Sequence, residues 1–131
     1  MVDKKFVSGS SASREEAGAL SVPLDLESCV SMLGGDRAMV FSLLHEFSTN
    51  LEDQIKAISD ALADENPEEV RLVAHSIKGG AAVFCAYSIM AMAASLEEIG
   101  KSGDLAQGEN KILSLTKEAT VLRSYCKELM T

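Results

Sequence analysis

The sequence predicts an all-α fold: an antiparallel up-down four-helix bundle with a short extra N-terminal helix. Three observations carry this expectation. Apolar residues recur at three- and four-residue steps through long segments, the stripe that a helix buries. β-branched runs are scarce, and only two prolines interrupt 131 residues. The connections between stripes are short, which favours antiparallel neighbours. Hydrophobic residues make up 47% of the chain, but aromatics only 5%, and tryptophan is absent. Aliphatic side chains, alanine and methionine must therefore fill the core.

Residues 1–22 contain Ser8-Gly9-Ser10-Ser11-Ala12-Ser13 and no sustained apolar period. They read as a flexible tail or linker, and residues 23–131 as the bundle. Asp25 can cap a short first helix whose Leu26, Cys29, Val30 and Leu33 face inward. Gly34-Gly35 ends it, and Asp36 can cap the next. The second helix is long, with Val40, Leu43, Leu44, Phe47, Leu51, Ile55, Ile58 and Leu62 on one stripe. Asn66-Pro67-Glu68-Glu69 is a restart: asparagine caps, proline suits the first helical position, and carboxylates meet the positive end of the helix dipole. The third helix ends around Cys85. The fourth runs from about Ser88 to Gly100, with Ile89, Met92, Leu96 and Ile99 inward. Gly103-Asp104 makes the last turn. Ile112, Leu115, Ala119, Leu122, Cys126 and Leu129 mark the final helix.

Composition narrows the function. Twenty acidic against twelve basic residues give a net charge of −8. Such a surface repels nucleic acid and anionic membranes. The uncharged run from Ala81 to Leu96 is shorter than the ~20 residues a membrane span needs. Lys4 and Lys5 precede no apolar signal core. Cys29, Cys85 and Cys126 are far apart and form no Cys-x-x-Cys pair, the pattern of reduced buried thiols in a cytoplasmic protein. There is no glycine-rich phosphate loop, so the chain is expected neither to bind ATP nor to phosphorylate itself. No cofactor or metal is expected. His45, beside Leu44, has no histidine or cysteine at ligand spacing and reads as structural.

The third helix carries the most informative run, Ala74-His75-Ser76-Ile77-Lys78-Gly79-Gly80. Val70, Val73, Ile77, Ala81 and Phe84 form its buried stripe. His75 is two residues from both Val73 and Ile77, roughly 200° around the helix, and so faces out. Arg71, Leu72, Lys78, Gly79 and Ala82 surround it. Adjacent glycines inside a helix cost about 1 kcal/mol each relative to alanine. A bare backbone at Gly79, one turn beyond the histidine, suits a surface that must approach the imidazole closely. Gly80, nearer the core, reads instead as a helix–helix contact.

Ala74-His75-x-Ile77-Lys78-Gly79 resembles the central motif of histidine-containing phosphotransfer (HPt) domains, the four-helix modules of two-component phosphorelays. Leu24-Asp25-Leu26-Glu27 and Leu33-Gly34-Gly35-Asp36 resemble their opening. Leu96-Glu97-Glu98 and Gly103-Asp104-Leu105 resemble the helix and turn after the histidine. The resemblance covers the chain from Pro23 onward. One departure is Cys85, where many family members have glycine.

The resemblance implies that His75 takes a phosphoryl group on Nε2 from a receiver-domain aspartate and passes it to another receiver. An imidazole is a good acceptor because one nitrogen is unprotonated in a large fraction of molecules near neutral pH. Lys78 would offset the charge of the phosphohistidine, with Arg71 adding to the field. The resemblance also places a partner for the other ring nitrogen at Glu97, fixing the tautomer. Leu72, Gly79 and Ala82, with Arg71, would form the docking face. The implied partners are response regulator receiver domains, which supply Mg²⁺, and a hybrid sensor histidine kinase. The protein would be a monomeric cytoplasmic phosphocarrier with no kinase domain of its own. Two alternatives stand beside this: a module that sequesters a receiver without productive relay, and a histidine- or metal-dependent enzyme on a bundle. The second lacks the inward Glu-x-x-His pair such sites use.

Overall fold

The computed structural model describes residues 24–129. The expected tail, 1–22, lies outside these residues, as do Pro23, Met130 and Thr131. Five helices follow one another: α1 (Leu26–Met32), α2 (Arg37–Ala63), α3 (Pro67–Val83), α4 (Tyr87–Ser102) and α5 (Gly108–Leu129). Among the described residues there is no strand. α2 packs on α3 and α5, and α4 on the same two, so the four long helices form a square in chain order. α1 is the short extra helix, and it packs against α2.

The caps lie where the sequence puts them. Asp25 accepts from the Ser28 backbone N–H at 3.1 Å, Asp36 from Met39 at 3.1 Å and Asn66 from Glu69 at 3.2 Å. Each satisfies a donor that the first helical turn leaves unpaired. Gly103 ends α4 in the left-handed conformation (φ 79°). α4 has no side-chain cap, since Ala86 stands at its cap position. It begins at Tyr87, one residue before the expected Ser88.

The core is aliphatic. Leu44, Leu51, Ile58, Ile77, Ile89, Leu96, Leu115 and Leu122 are fully buried, each contributing about 1.5–3 kcal/mol relative to exposure. Two details differ from the expected stripes. Leu43 is exposed, and Ser48 is buried. The buried line on α2 steps 40, 44, 48, 51, which draws Ser48 in beside the Cys126 thiol of α5 and turns Leu43 out. On α4, Ala93 and Gly100 lie in the interior, with Met92 and Ile99 at its margin. Small residues there let α3 and α4 pack closely.

Cys85 lies in the turn between α3 and α4 with φ 55°, a conformation costly for a residue with a Cβ. Its thiol is buried and donates to Met32 Sδ on α1 at 4.0 Å, while Cys29 Sγ donates to the Val83 carbonyl at 3.7 Å. α1 is thereby held over the α3–α4 turn. All three cysteines are buried and none is in a disulfide.

Candidate functional site

α3 presents the site because its opposite face is committed to the core. Val70, Ala74, Ile77 and Ala81 are completely buried, which fixes the rotation of the helix and turns His75 outward. The His75 side chain is 66% exposed. Leu72, Gly79 and Ala82 are exposed around it.

One side chain from α4 reaches this face from within. Glu97 is only 8% exposed, unusual for a carboxylate unless it is paired. It is paired twice. Its Oε2 lies 2.9 Å from His75 Nδ1, and its Oε1 lies 2.6 Å from Lys78 Nζ. The Lys78 hydrogen bond, and after it the His75 bond, hold the Glu97 carboxyl below its ordinary range, against a burial that pushes it up. An ionised carboxylate has no proton to give, so Nδ1 must carry the hydrogen and donate it. The neutral imidazole is therefore the Nδ1–H tautomer, with the Nε2 lone pair on the outward side of the ring. Among the described residues, Nε2 has no protein partner.

The structure thus brings His75, Lys78 and Glu97 together. It also shows how two cations are held. With a side chain 37% exposed, Lys78 is bound to Glu97. An ammonium has three N–H donors, so two remain for an incoming anion. Arg71 is turned to its own helix, donating to Glu68 from Nε at 3.1 Å and from its terminal nitrogen at 2.6 Å. Its charge is shared with Glu68 first, and it also acts on the Glu97 carboxylate beside His75.

The two glycines differ as expected. A Cβ on Gly79 would meet nothing within 4 Å, whereas one on Gly80 would lie 2.9 Å from Phe47 Cε1. Gly79 leaves open space on the histidine face, and Gly80 makes room for the Phe47 ring, which packs on Phe84 with centroids 5.2 Å apart. Sequence reasoning missed Gly100. A Cβ there would lie 2.6 Å from the Arg71 backbone nitrogen and 2.8 Å from its Cα. The signal was present as a glycine one turn beyond Glu97, but it looked like a helix end.

His45 lies on the exposed side of α2, lining a groove of about 280 Å³ with Ser48, Thr49, Glu52, Arg123 and Lys127. Among the described residues no three His, Cys, Asp or Glu side chains converge as a metal cluster requires. Nor is any described helix long and apolar enough to cross a membrane.

Comparison with known proteins decides the family. The Hpt domain model matches residues 42–129. The chain belongs to the Hpt domain family. Among solved structures, histidine-containing phosphotransfer protein B (HptB) from Pseudomonas aeruginosa PAO1 is similar, with a TM-score of 0.75 at 24% identity. The match covers 81% of this chain and 92% of that one, and it carries the fold. No curated protein matches the sequence. As an Hpt domain, the protein has a phosphotransfer role in two-component signalling. Hpt domains work with response regulator receiver domains and kinases of phosphorelays.

Proposed function

We propose that this Hpt domain is a phosphorelay intermediate, accepting a phosphoryl group on His75 from a receiver-domain aspartate and passing it to another receiver domain. The observation that carries the reading is the hydrogen bond from His75 Nδ1 to the buried, ionised Glu97. It leaves the lone pair on Nε2, where a partner can reach it.

In the forward step the Nε2 lone pair forms the N–P bond as the P–O bond to the receiver aspartate breaks, and the aspartate leaves as a carboxylate. The ring becomes cationic as the bond forms. Glu97, fixed at Nδ1, stabilises that charge, because a carboxylate already in place needs no reorganisation during the reaction. Lys78 contributes N–H donors to the phosphoryl oxygens. Leu72, Gly79 and Ala82 give a low, largely apolar surface for docking. The reverse step hands the group to a second receiver through the same geometry. The receiver supplies the acidic pocket and its Mg²⁺. The chain acts as a monomeric phosphocarrier in the cytoplasm, fed by a hybrid sensor kinase.

The test is incubation with phosphorylated receiver domains. The reading expects an acid-labile, base-stable label on a histidine, with nuclear magnetic resonance placing phosphorus on Nε2. A stable complex with a receiver and no transfer in either direction would favour the sequestering module instead.

A further inference from the structure

We propose that Gly100 is a positioning residue for the phosphoryl-accepting histidine: the absence of a side chain there sets how deeply α4 packs on α3, and so whether Glu97 reaches His75. The inference rests on the reading of His75 as the acceptor, but its main measurement does not.

α3 and α4 run antiparallel, and their contact register is short and explicit. Gly100 lies three residues after Glu97 on α4; Arg71 lies four residues before His75 on α3. One helical turn therefore separates the Gly100–Arg71 contact from the Glu97–His75 bond on both helices. At the first contact an added Cβ would stand 2.6 Å from the Arg71 nitrogen, 2.8 Å from its Cα and 2.8 Å from its Cβ. Two of these atoms are backbone, which cannot swing aside as a side-chain tip can. Carbon atoms rest about 3.5–4.0 Å apart, so α4 must withdraw by about 1 Å to accept a methyl group. The bond one turn away is 2.9 Å long, and a hydrogen bond stretched to about 3.6 Å or more is lost. Glu97 would then be left with Lys78 alone, and the imidazole would be free to exchange tautomers.

A general loosening of the same end of the bundle is a different matter, and another glycine tests it. Gly108 opens α5 at that end. A Cβ there would stand 2.4 Å from Leu62 Cδ2 on α2, a clash that does not involve α4's seat on α3. Gly108→Ala should therefore shift the Leu62 side chain at this end of the bundle and leave the His75 ring as it is.

The experiment is a ¹⁵N nuclear magnetic resonance measurement of the His75 ring at alkaline pH in wild type, Gly100→Ala and Gly108→Ala, alongside phosphotransfer from a phosphorylated receiver. Wild type should show a protonated Nδ1 and a bare Nε2. Gly100→Ala should shift both nitrogens toward the averaged values of a free imidazole and slow transfer by about 10–100-fold, the usual loss when an orienting partner is removed. Gly108→Ala should keep the wild-type ring signals. If folded Gly100→Ala keeps the Nδ1–H tautomer, the proposal is overturned; so it is if Gly108→Ala loses the tautomer equally. Loss of the tautomer in Gly100→Ala with undiminished transfer would uphold the seating of Glu97 by Gly100 and overturn the reading in which the Glu97 bond prepares His75 for transfer. Should Gly100→Ala fold poorly, the ring measurement alone is repeated in a Gly79→Ala background, whose added methyl meets nothing within the chain and favours the helix.

Discussion

Glu97 and His75 stand on different helices, yet a buried carboxylate oxygen of one lies 2.9 Å from Nδ1 of the other. The pairing gives an exposed imidazole a fixed tautomer without covering its second nitrogen. Removing the carboxylate should therefore affect chemistry more than folding. Glu97→Ala should slow phosphotransfer by about 10–100-fold, with Glu97→Gln between it and wild type, because an amide oxygen accepts the Nδ1 hydrogen but carries no charge. Rates measured with one phosphorylated receiver check this; equal rates for all three proteins would contradict it.

The same carboxylate makes the site sensitive to acid in a definite direction. Glu97 is held below its ordinary range in the folded protein, first by Lys78 and also by His75. A depressed carboxyl contributes stability above the unfolded value, about 4.3. That contribution is lost as pH falls through the lower folded value. Lys78→Met should move the Glu97 titration upward, and by more than His75→Gln does, because burial is then less opposed. Carbon-13 spectra of the carboxyl follow this directly, and an unmoved titration in Lys78→Met would contradict it.

Lys78 also acts on the phosphoryl group, so Lys78→Ala should slow transfer about 5–30-fold, the scale of one partly exposed charged contact. The helical circular dichroism should be retained. An unchanged rate would mean that the Glu97 ion pair is all that Lys78 provides.

Gly79 and Gly80 should separate in one melting experiment. Gly79→Ala should stabilise the bundle by up to about 1 kcal/mol, because alanine is the better helix former and the new methyl meets nothing. Gly80→Ala should gain less, since it must displace the Phe47 ring. Gly79→Gln should fold and yet transfer poorly, as a misplacement of about 1 Å at a reacting centre can cost a hundredfold. Normal transfer by Gly79→Gln would remove the case for close approach at this face.

Much of this was legible because it is local. Asp25, Asp36 and Asn66 cap helices by bonding backbone three residues away, a rule that needs no tertiary information. The outward turn of His75 was read from the stripe Val70, Val73, Ile77, Ala81 and Phe84, all of which are buried except Val73, which is partly so. The pairing with Glu97 came from resemblance, because spacing within a sequence does not tell which residues of two helices meet.

What stayed hidden depends on how helices are seated against each other. Leu43 and Ser48 exchange burial because the contact line on α2 takes two four-residue steps in succession. Lys78 was placed beside His75 from α3 alone, and its bond to Glu97 exists only once α4 is in place. Gly100 has meaning only against the Arg71 backbone. Cys85 stood out in the sequence only as a departure from the family's frequent glycine; the structure adds a backbone reason, since its φ of 55° favours glycine.

The central claim is that His75 alone carries the phosphoryl group, and two histidines in the chain make the test complete. His75→Gln and His45→Gln are each incubated with the same phosphorylated receiver, and acid-labile label is measured. The account predicts full labelling of His45→Gln and none of His75→Gln. Label on His75→Gln equal to wild type would contradict it.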